Sequence, residues 1–441
     1  MKRRTPSTLL WTVALSLATF AARAADYQIH DGDRVVFLGD SITEQKLYTT
    51  YLEAYALTRN PTWKLTFRNV GWGGDTAWLR QRAHPDEGRL FAAAPDAQQK
   101  MVDDAVGRGL DRDVLPLQPT FVTVKFGMND HAYQPFRKDI FGAYARSQSK
   151  IAEILQGHGS RVAFLTPQPI EEKRADEDKD ARNQSLRKFS DGLREVAQAK
   201  GACFVDQFAP YMAILLRERA GNPSSMVGGG DAVHPGPIGH TVMAWAVLKG
   251  LGAPALVSRA EIDAQAGKAG QTDHCRIDNL SCTAEKVVFD RLDDAQPMPI
   301  DERAVPALKL APITAELNRY ELQITGLPAK GVQVTVDGEE LLSTTGDELA
   351  KGVNLAVATG PISRQGRDLL ALVFRKNDVF FNRWRGVQLQ DFPGWAQGPE
   401  LDAKRKTELA RLDREIAGLE DQINALRVPK THHFEVKVAA N

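Results

Sequence analysis

The sequence predicts an α/β fold built on a five-stranded parallel sheet, followed by a smaller β-rich domain and a C-terminal helix. Three observations predict it. From Asp33 to about Val257, short apolar runs alternate with stretches of helical periodicity, the pattern of parallel strands joined by helical crossovers. Beyond that point the apolar runs are separated by Gly, Pro and Asp-Gly turns, the pattern of antiparallel strands. At 441 residues, the chain also exceeds one ordinary core.

The first element, residues 1–25, reads as an export signal. Lys2, Arg3 and Arg4 make a basic start, residues 9–20 an apolar stretch, and Ala22-Arg23-Ala24 an A-x-A cleavage site, so the mature chain begins near Ala25 or Asp26. A periplasmic or extracellular location is expected. No later segment approaches the roughly 20 apolar residues of a membrane helix, so no stable membrane insertion is expected after cleavage. With 56 basic and 56 acidic residues there is no net field to attract a polyanion, and nucleic acid is not an expected partner.

Residues 26–257 form the α/β unit. Strands are predicted at 35–38, 65–70, 121–126, 162–166 and 202–205, and helices at 43–58, 97–114, 141–156, 182–200 and 238–251. Residues 258–285 are small, polar and Gly-containing, and read as a linker. The β-rich domain spans 286–398, with strands expected at 320–324, 332–336, 354–358 and 369–374. Over 399–428, Leu409, Leu412, Ile416, Leu419, Ile423 and Leu426 step by three and four along an amphipathic helix, which Pro429 closes ahead of a tail, 429–441. That stripe is expected to dock on its own chain and leaves a dimer open. Cys275 and Cys282 lie close enough in a polar stretch to close a small staple, whereas Cys203 reads as a buried small hydrophobe.

Four segments fall at the carboxyl edge of the predicted parallel sheet, where open sheets bind ligands. In Gly39-Asp40-Ser41-Ile42-Thr43, the serine stands at a helix start, where its hydroxyl is exposed and backbone N–H groups can receive developing negative charge. Ser41 to Glu44 is equally a capping box, S-x-x-E. Asp231-Ala232-Val233-His234-Pro235 supplies an imidazole to take the hydroxyl proton and a carboxylate to orient it; the alternative is a turn whose Asp bonds local backbone. Asn69-Val70-Gly71-Trp72-Gly73-Gly74-Asp75-Thr76 allows close backbone approach, and Gly127-Met128-Asn129-Asp130 brings an amide donor. His240 reads as a packing residue.

These segments, in this order, resemble the SGNH, or GDSL-type, hydrolase family: Gly39-Asp40-Ser41, then Gly74 ahead of Asp75-Thr76, then the G-x-N-D of Gly127 to Asp130, then the D-x-x-H-P of Asp231 to Pro235. The resemblance covers roughly residues 30–257. It implies a flavodoxin-like three-layer sandwich and ester hydrolysis with no metal or cofactor. Carried over, Ser41 is the nucleophile, His234 the general base and Asp231 its orienting acid. The backbone N–H groups of Ser41 and Gly74 and the side-chain amide of Asn129 form the oxyanion hole, with Gly71 and Gly73 as alternatives to Gly74.

The expected partner is an ester substrate, with a carbohydrate O-acetylester in an acetylated polysaccharide favoured by export and the appended β-rich domain. A lipolytic esterase, phospholipase or thioesterase is the alternative, and a non-catalytic carbohydrate-binding protein on the same scaffold another. Asp40, Trp72 and Tyr133, with Trp78, are expected to line the crevice, the alternative for the aromatics being packing between helices and sheet. The charged residues 171–182 read as a solvated loop at its mouth, the alternative being contact with substrate.

Overall fold

The computed structural model describes residues 26–172 and 176–439. The export signal predicted for residues 1–25 lies outside them.

Five runs rich in Val, Phe and Leu form β1 (Arg34–Gly39), β2 (Thr66–Gly71), β3 (Phe121–Lys125), β4 (Arg161–Leu165) and β5 (Cys203–Val205). They pair in parallel in the order β2-β1-β3-β4-β5. Every residue of β3 is buried, as a strand covered on both faces requires. Alternation divides the side chains of β1 between two cores: Val35 and Phe37 join one, Val36 and Leu38 the other. Helices Leu47–Arg59 and Pro237–Gly250 pack on the first face, Pro95–Asp113 and Lys138–Gly157 on the second. This is the expected three-layer α/β sandwich. Because β1 has β2 on one side and β3 on the other, the winding reverses at β1, and the carboxyl ends of these strands form the switch point at which open sheets bind ligands.

Two helical expectations change. The helix predicted at 43–58 is two, Ser41–Glu44 and Leu47–Arg59, broken at Lys46, whose φ of 64° lies in the left-handed region. Lys46 is held there from the C-terminal region, its ammonium 3.3 Å from Asp378 and 4.4 Å above the Phe381 ring. An unanticipated helix, Phe208–Gly221, follows β5.

The expected linker, residues 258–285, is instead strand: β6 (Leu256–Asp263), β7 (Lys268–Asp273) and β8 (Cys275–Cys282). Its polar composition reflects strands with one wet face, not absence of structure. β9 (Lys286–Asp293), β10 (Arg319–Thr325), β11 (Gly331–Val336), β12 (Glu339–Thr345), β13 (Val353–Asn354) and β14 (His432–Val438) complete two sheets, ordered β13-β10-β6-β7 and β12-β11-β14-β9-β8. They share one core, in which the rings of Phe289 and Phe434 stack with centroids 5.0 Å apart. The supposed tail is therefore a central strand, β14 pairing with both β9 and β11. Cys275 and Cys282 are free thiols at opposite ends of β8; seven residues of extended chain separate them by on the order of 20 Å, far beyond disulfide reach.

Residues 369–374 are not a strand. They lie within the helix Pro361–Phe381, where Leu369, Leu370 and Val373 form the buried stripe; a short apolar run has no period that separates the two. The helix Pro399–Leu426 packs against it, burying Leu412, Ile416, Leu419 and Ile423 within the chain. This pair covers the outer edge of β2. Lys376 Nζ donates to the Phe67 carbonyl at 3.3 Å and pairs with the buried Glu53 at 2.6 Å, while Arg68 pairs with Glu420 at 2.7 Å. An open strand edge is thus shielded by helix.

Candidate active site

The carboxyl ends of β1, β2 and β3 carry three of the segments, and the loop before the helix Pro237–Gly250 brings the fourth against them. Asp40, not Ser41, caps the first helix: its buried Oδ1 accepts from Ile42 N at 3.0 Å. The Glu44 amide donates to the Asp40 carbonyl, so no Ser41 capping box forms. The Ser41 hydroxyl is instead 2.9 Å from His234 Nε2, whose Nδ1 lies 3.1 Å from Asp231 Oδ2.

Asp231 serves two partners at once. Its Oδ1 accepts from Val233 N at 2.7 Å and His234 N at 2.6 Å, closing the turn, while Oδ2 faces the imidazole. Burial alone raises the Asp231 carboxyl, but these hydrogen bonds outweigh it and hold the group below the usual carboxylate range. The turn needs Gly230, where a Cβ would stand 2.0 Å from the His234 carbonyl oxygen.

The possible oxyanion donors are fixed from several sides. Asn129 is buried; its Nδ2 donates to the Asp75 carbonyl at 2.9 Å and its Oδ1 accepts from Tyr133 Oη at 3.0 Å. This arrangement orients the amide and leaves its second N–H for a ligand. Gly74 has a φ of 75°, which a side chain resists, and Arg80 Nε binds its carbonyl at 2.6 Å. Asp130 ties the two loops together, accepting from Ala77 N and Gly127 N, each at 2.8 Å; burial pushes its carboxyl up to about 7. Beneath Ser41, burial lowers the Lys125 ammonium against the pull of Asp40, 3.8 Å away.

Several expected lining residues are taken up by capping or packing instead. Asp40 is fully buried as the cap. Trp78 is buried and donates to Glu87 at 2.8 Å. Trp72 is taken up by packing, with Arg385 3.6 Å above its ring centroid and Trp384 edge-on at 5.7 Å. Tyr133 alone of the four is well exposed, at 41%. His240 is fully buried; Tyr48 N donates to its Nδ1 at 3.2 Å and its Nε2 faces Gln45 Oε1 at 2.9 Å, so burial pushes it down to about 3 and keeps it neutral.

Glu171 departs from the solvated loop expected for 171–182. It is buried, accepting from Tyr211 Oη at 2.7 Å and Gly228 N at 2.8 Å, and with Gln168 Nε2 on the Val233 carbonyl at 2.9 Å it braces the loop that carries Asp231 and His234. Gln168 lies in no sequence segment that stands out, and Glu171 opens a charged run whose composition signals only solvent. Arg182 is half-buried, pairing with Glu172 and the buried Asp180 at 2.9 and 3.0 Å. Among the described residues, no group of three or more His, Cys, Asp and Glu side chains is placed to hold a metal ion, and no helix is long and apolar enough to cross a membrane.

Comparison with known proteins agrees with this geometry. The model of the GDSL-like lipase/acylhydrolase family matches residues 37–242. An acetylxylan esterase from Geobacillus stearothermophilus is 24% identical over 237 residues, 51% of this chain and 96% of its own. Among solved structures, a gut microbial diltiazem-metabolizing enzyme superposes with a TM-score of 0.76 at 25% identity, covering 93% of this chain and 98% of that one. The serine at the switch point and the family match over the same strands lead to one conclusion: residues 37–242 match the GDSL-like lipase/acylhydrolase family, and the chain is a serine ester hydrolase.

Proposed function

We propose that the protein is an exported carbohydrate O-acetylesterase in which Ser41, His234 and Asp231 form the catalytic triad. The observation that carries this reading is the continuous relay from Ser41 Oγ to His234 Nε2 at 2.9 Å and from His234 Nδ1 to Asp231 Oδ2 at 3.1 Å. Ser41 Oγ attacks the ester carbonyl while His234 Nε2 takes its proton. The oxyanion meets the N–H groups of Ser41 and Gly74 and the free amide N–H of Asn129. Collapse returns the proton from His234 to the departing sugar hydroxyl and leaves acyl-Ser41, which water hydrolyses by the same steps in reverse. Asp231, held ionised by its local hydrogen bonds, keeps the imidazole in the tautomer that accepts from Ser41.

The openness of the site supports a bulky alcohol. His234 and Asp231 side chains are 37% and 66% exposed, so a polymer can lie across them. Tyr133 offers an exposed ring beside Asn129 for a sugar face. The acetylxylan esterase relative acts on a substrate of this class. Export rests on the basic, apolar and A-x-A segments of residues 1–25. A second reading, an esterase of small ester-bearing molecules, is favoured by the likeness of the whole chain to the diltiazem-metabolizing enzyme.

The test is a screen of short-chain aryl esters, acetylated xylan, pectin and peptidoglycan, run on wild type and Ser41→Ala together. Acetate release from a polysaccharide, absent in Ser41→Ala, is expected. Cleavage confined to small esters would favour the second reading, and cleavage of phospholipids or long acyl esters alone would replace both.

A further inference from the structure

The family match ends at residue 242, yet a residue far beyond it reaches the active-site loops. The helix Pro361–Phe381 runs into a π-helical turn, Asn382–Gln388, a widened geometry that is rare in helices and often found at functional sites. From that turn Arg385 projects into the α/β unit. Its guanidinium lies 3.6 Å above the Trp72 ring centroid, and its Nη1 is 3.2 Å from Glu44 Oε1. Trp384 from the same turn meets Trp72 edge-on.

These two partners flank the proposed oxyanion donors. Glu44 is the last residue of the short helix that Ser41 begins. Trp72 directly precedes Gly73 and Gly74. Glu44 also lies against the glycine loop: a Cβ on Gly71 would fall 2.3 Å from Glu44 N, and one on Gly73 would fall 2.7 Å from Glu44 Oε2. The guanidinium therefore spans the two elements whose relative placement sets the distance between the Ser41 and Gly74 N–H groups. Its fork binds the carboxylate while its flat face covers the indole, a double role that Lys cannot reproduce. Both partners of the ion pair keep about a quarter of their side-chain surface exposed (24% and 28%), so the pair contributes geometry more than stability.

We propose that Arg385 is a positioning residue for ester hydrolysis, supplied by the C-terminal region to hold the nucleophile helix and the glycine loop in register. The inference rests on the proposed roles of Ser41 and Gly74. An oxyanion hole tolerates little displacement: a shift of about 1 Å costs on the order of a hundredfold in rate, so a partial loosening costs about tenfold.

The experiment measures kcat and KM for a short-chain aryl acetate in wild type, Arg385→Ala, Arg385→Lys, Glu44→Gln and the Glu44→Gln/Arg385→Ala double variant, with thermal midpoints alongside. Arg385→Ala is expected to lower kcat about tenfold with KM and the midpoint little changed. Arg385→Lys, which keeps the charge but not the stacked fork, should fall between it and wild type. The double variant should lose no more than the worse single one, because both act through the same contact. Unchanged kcat in Arg385→Ala, fully additive losses, or a loss that tracks a fallen midpoint in both Arg385 variants would overturn the inference. Ser41→Ala separates the two levels. If it is inactive while Arg385→Ala is normal, this inference alone fails, whereas an active Ser41→Ala removes the nucleophile assignment and this inference with it.

Discussion

In the parallel sheet, β3 is buried at all five positions, whereas in the β-sandwich β9 alternates buried and partly exposed residues along its whole length. The two regions solve burial differently, and the consequence reaches the chemistry. Strands covered on both faces must return through helices, so their carboxyl ends gather at one edge with loops between, and Ser41, Gly74 and Asn129 come from those ends. Strands joined by tight hairpins bring no such edge together. What the second region gives the first is support: a helix pair over the β2 edge, and Arg385.

If chemistry resides in the first region, its losses should be large and should leave the fold intact. His234→Ala is expected to lower kcat/KM on the order of 10⁴-fold or more, as loss of a triad base does, with an unchanged circular dichroism spectrum. Retained turnover would move the proton acceptor elsewhere. Asn129→Ala should cost about a hundred- to a thousandfold in kcat, the range for one oxyanion donor. Near-wild-type turnover in the folded variant would remove Asn129 from the site.

The joint between the regions is probed by Lys376→Ala, which leaves the Glu53 carboxyl buried without its cation. Breaking such a pair costs about 3–5 kcal/mol, read from the urea midpoint. A change under about 1 kcal/mol would mean that the helix pair is not held to the α/β unit through this contact. The smallest effect concerns pH. Burial holds His240 down to about 3, below the value of an exposed imidazole, so the stability it contributes is complete above about pH 6.5 and is lost as the pH falls toward 3. At pH 5 the loss is about 2 kcal/mol. His240→Gln should flatten the decline of the thermal midpoint between neutral pH and pH 5; an unaltered slope would place the acid sensitivity in other groups.

The same contrast explains what the sequence made legible. Most strands of the parallel sheet read directly, because β1, β3 and β4 are apolar runs closed by a turn. The sandwich did not, because all but one residue of β7 are exposed and β14 pairs with strands about 100 and 140 residues earlier in the chain, contacts that leave no local periodicity. For the site, residue types and order sufficed to bring Ser41, His234 and Asp231 together and to set Asn129 at the same edge of the sheet. The capping-box alternative at Ser41 is decided only by the three-dimensional finding that Asp40 caps the helix. Glu171 and Gln168 hold the His234 loop through backbone groups of Gly228 and Val233, and Arg385 acts across more than 300 residues of chain. Nothing in a local pattern signals such contacts.

The central claim is that Ser41 is the nucleophile activated by His234, and covalent labelling tests it most directly. Wild-type protein treated with an active-site fluorophosphonate, digested and mapped by mass spectrometry should carry a single adduct on Ser41. Ser41→Ala should carry none, and His234→Ala should react far more slowly. An ester-hydrolysing protein that carries its adduct on another residue, or a Ser41→Ala variant labelled as fast as wild type, would contradict the account.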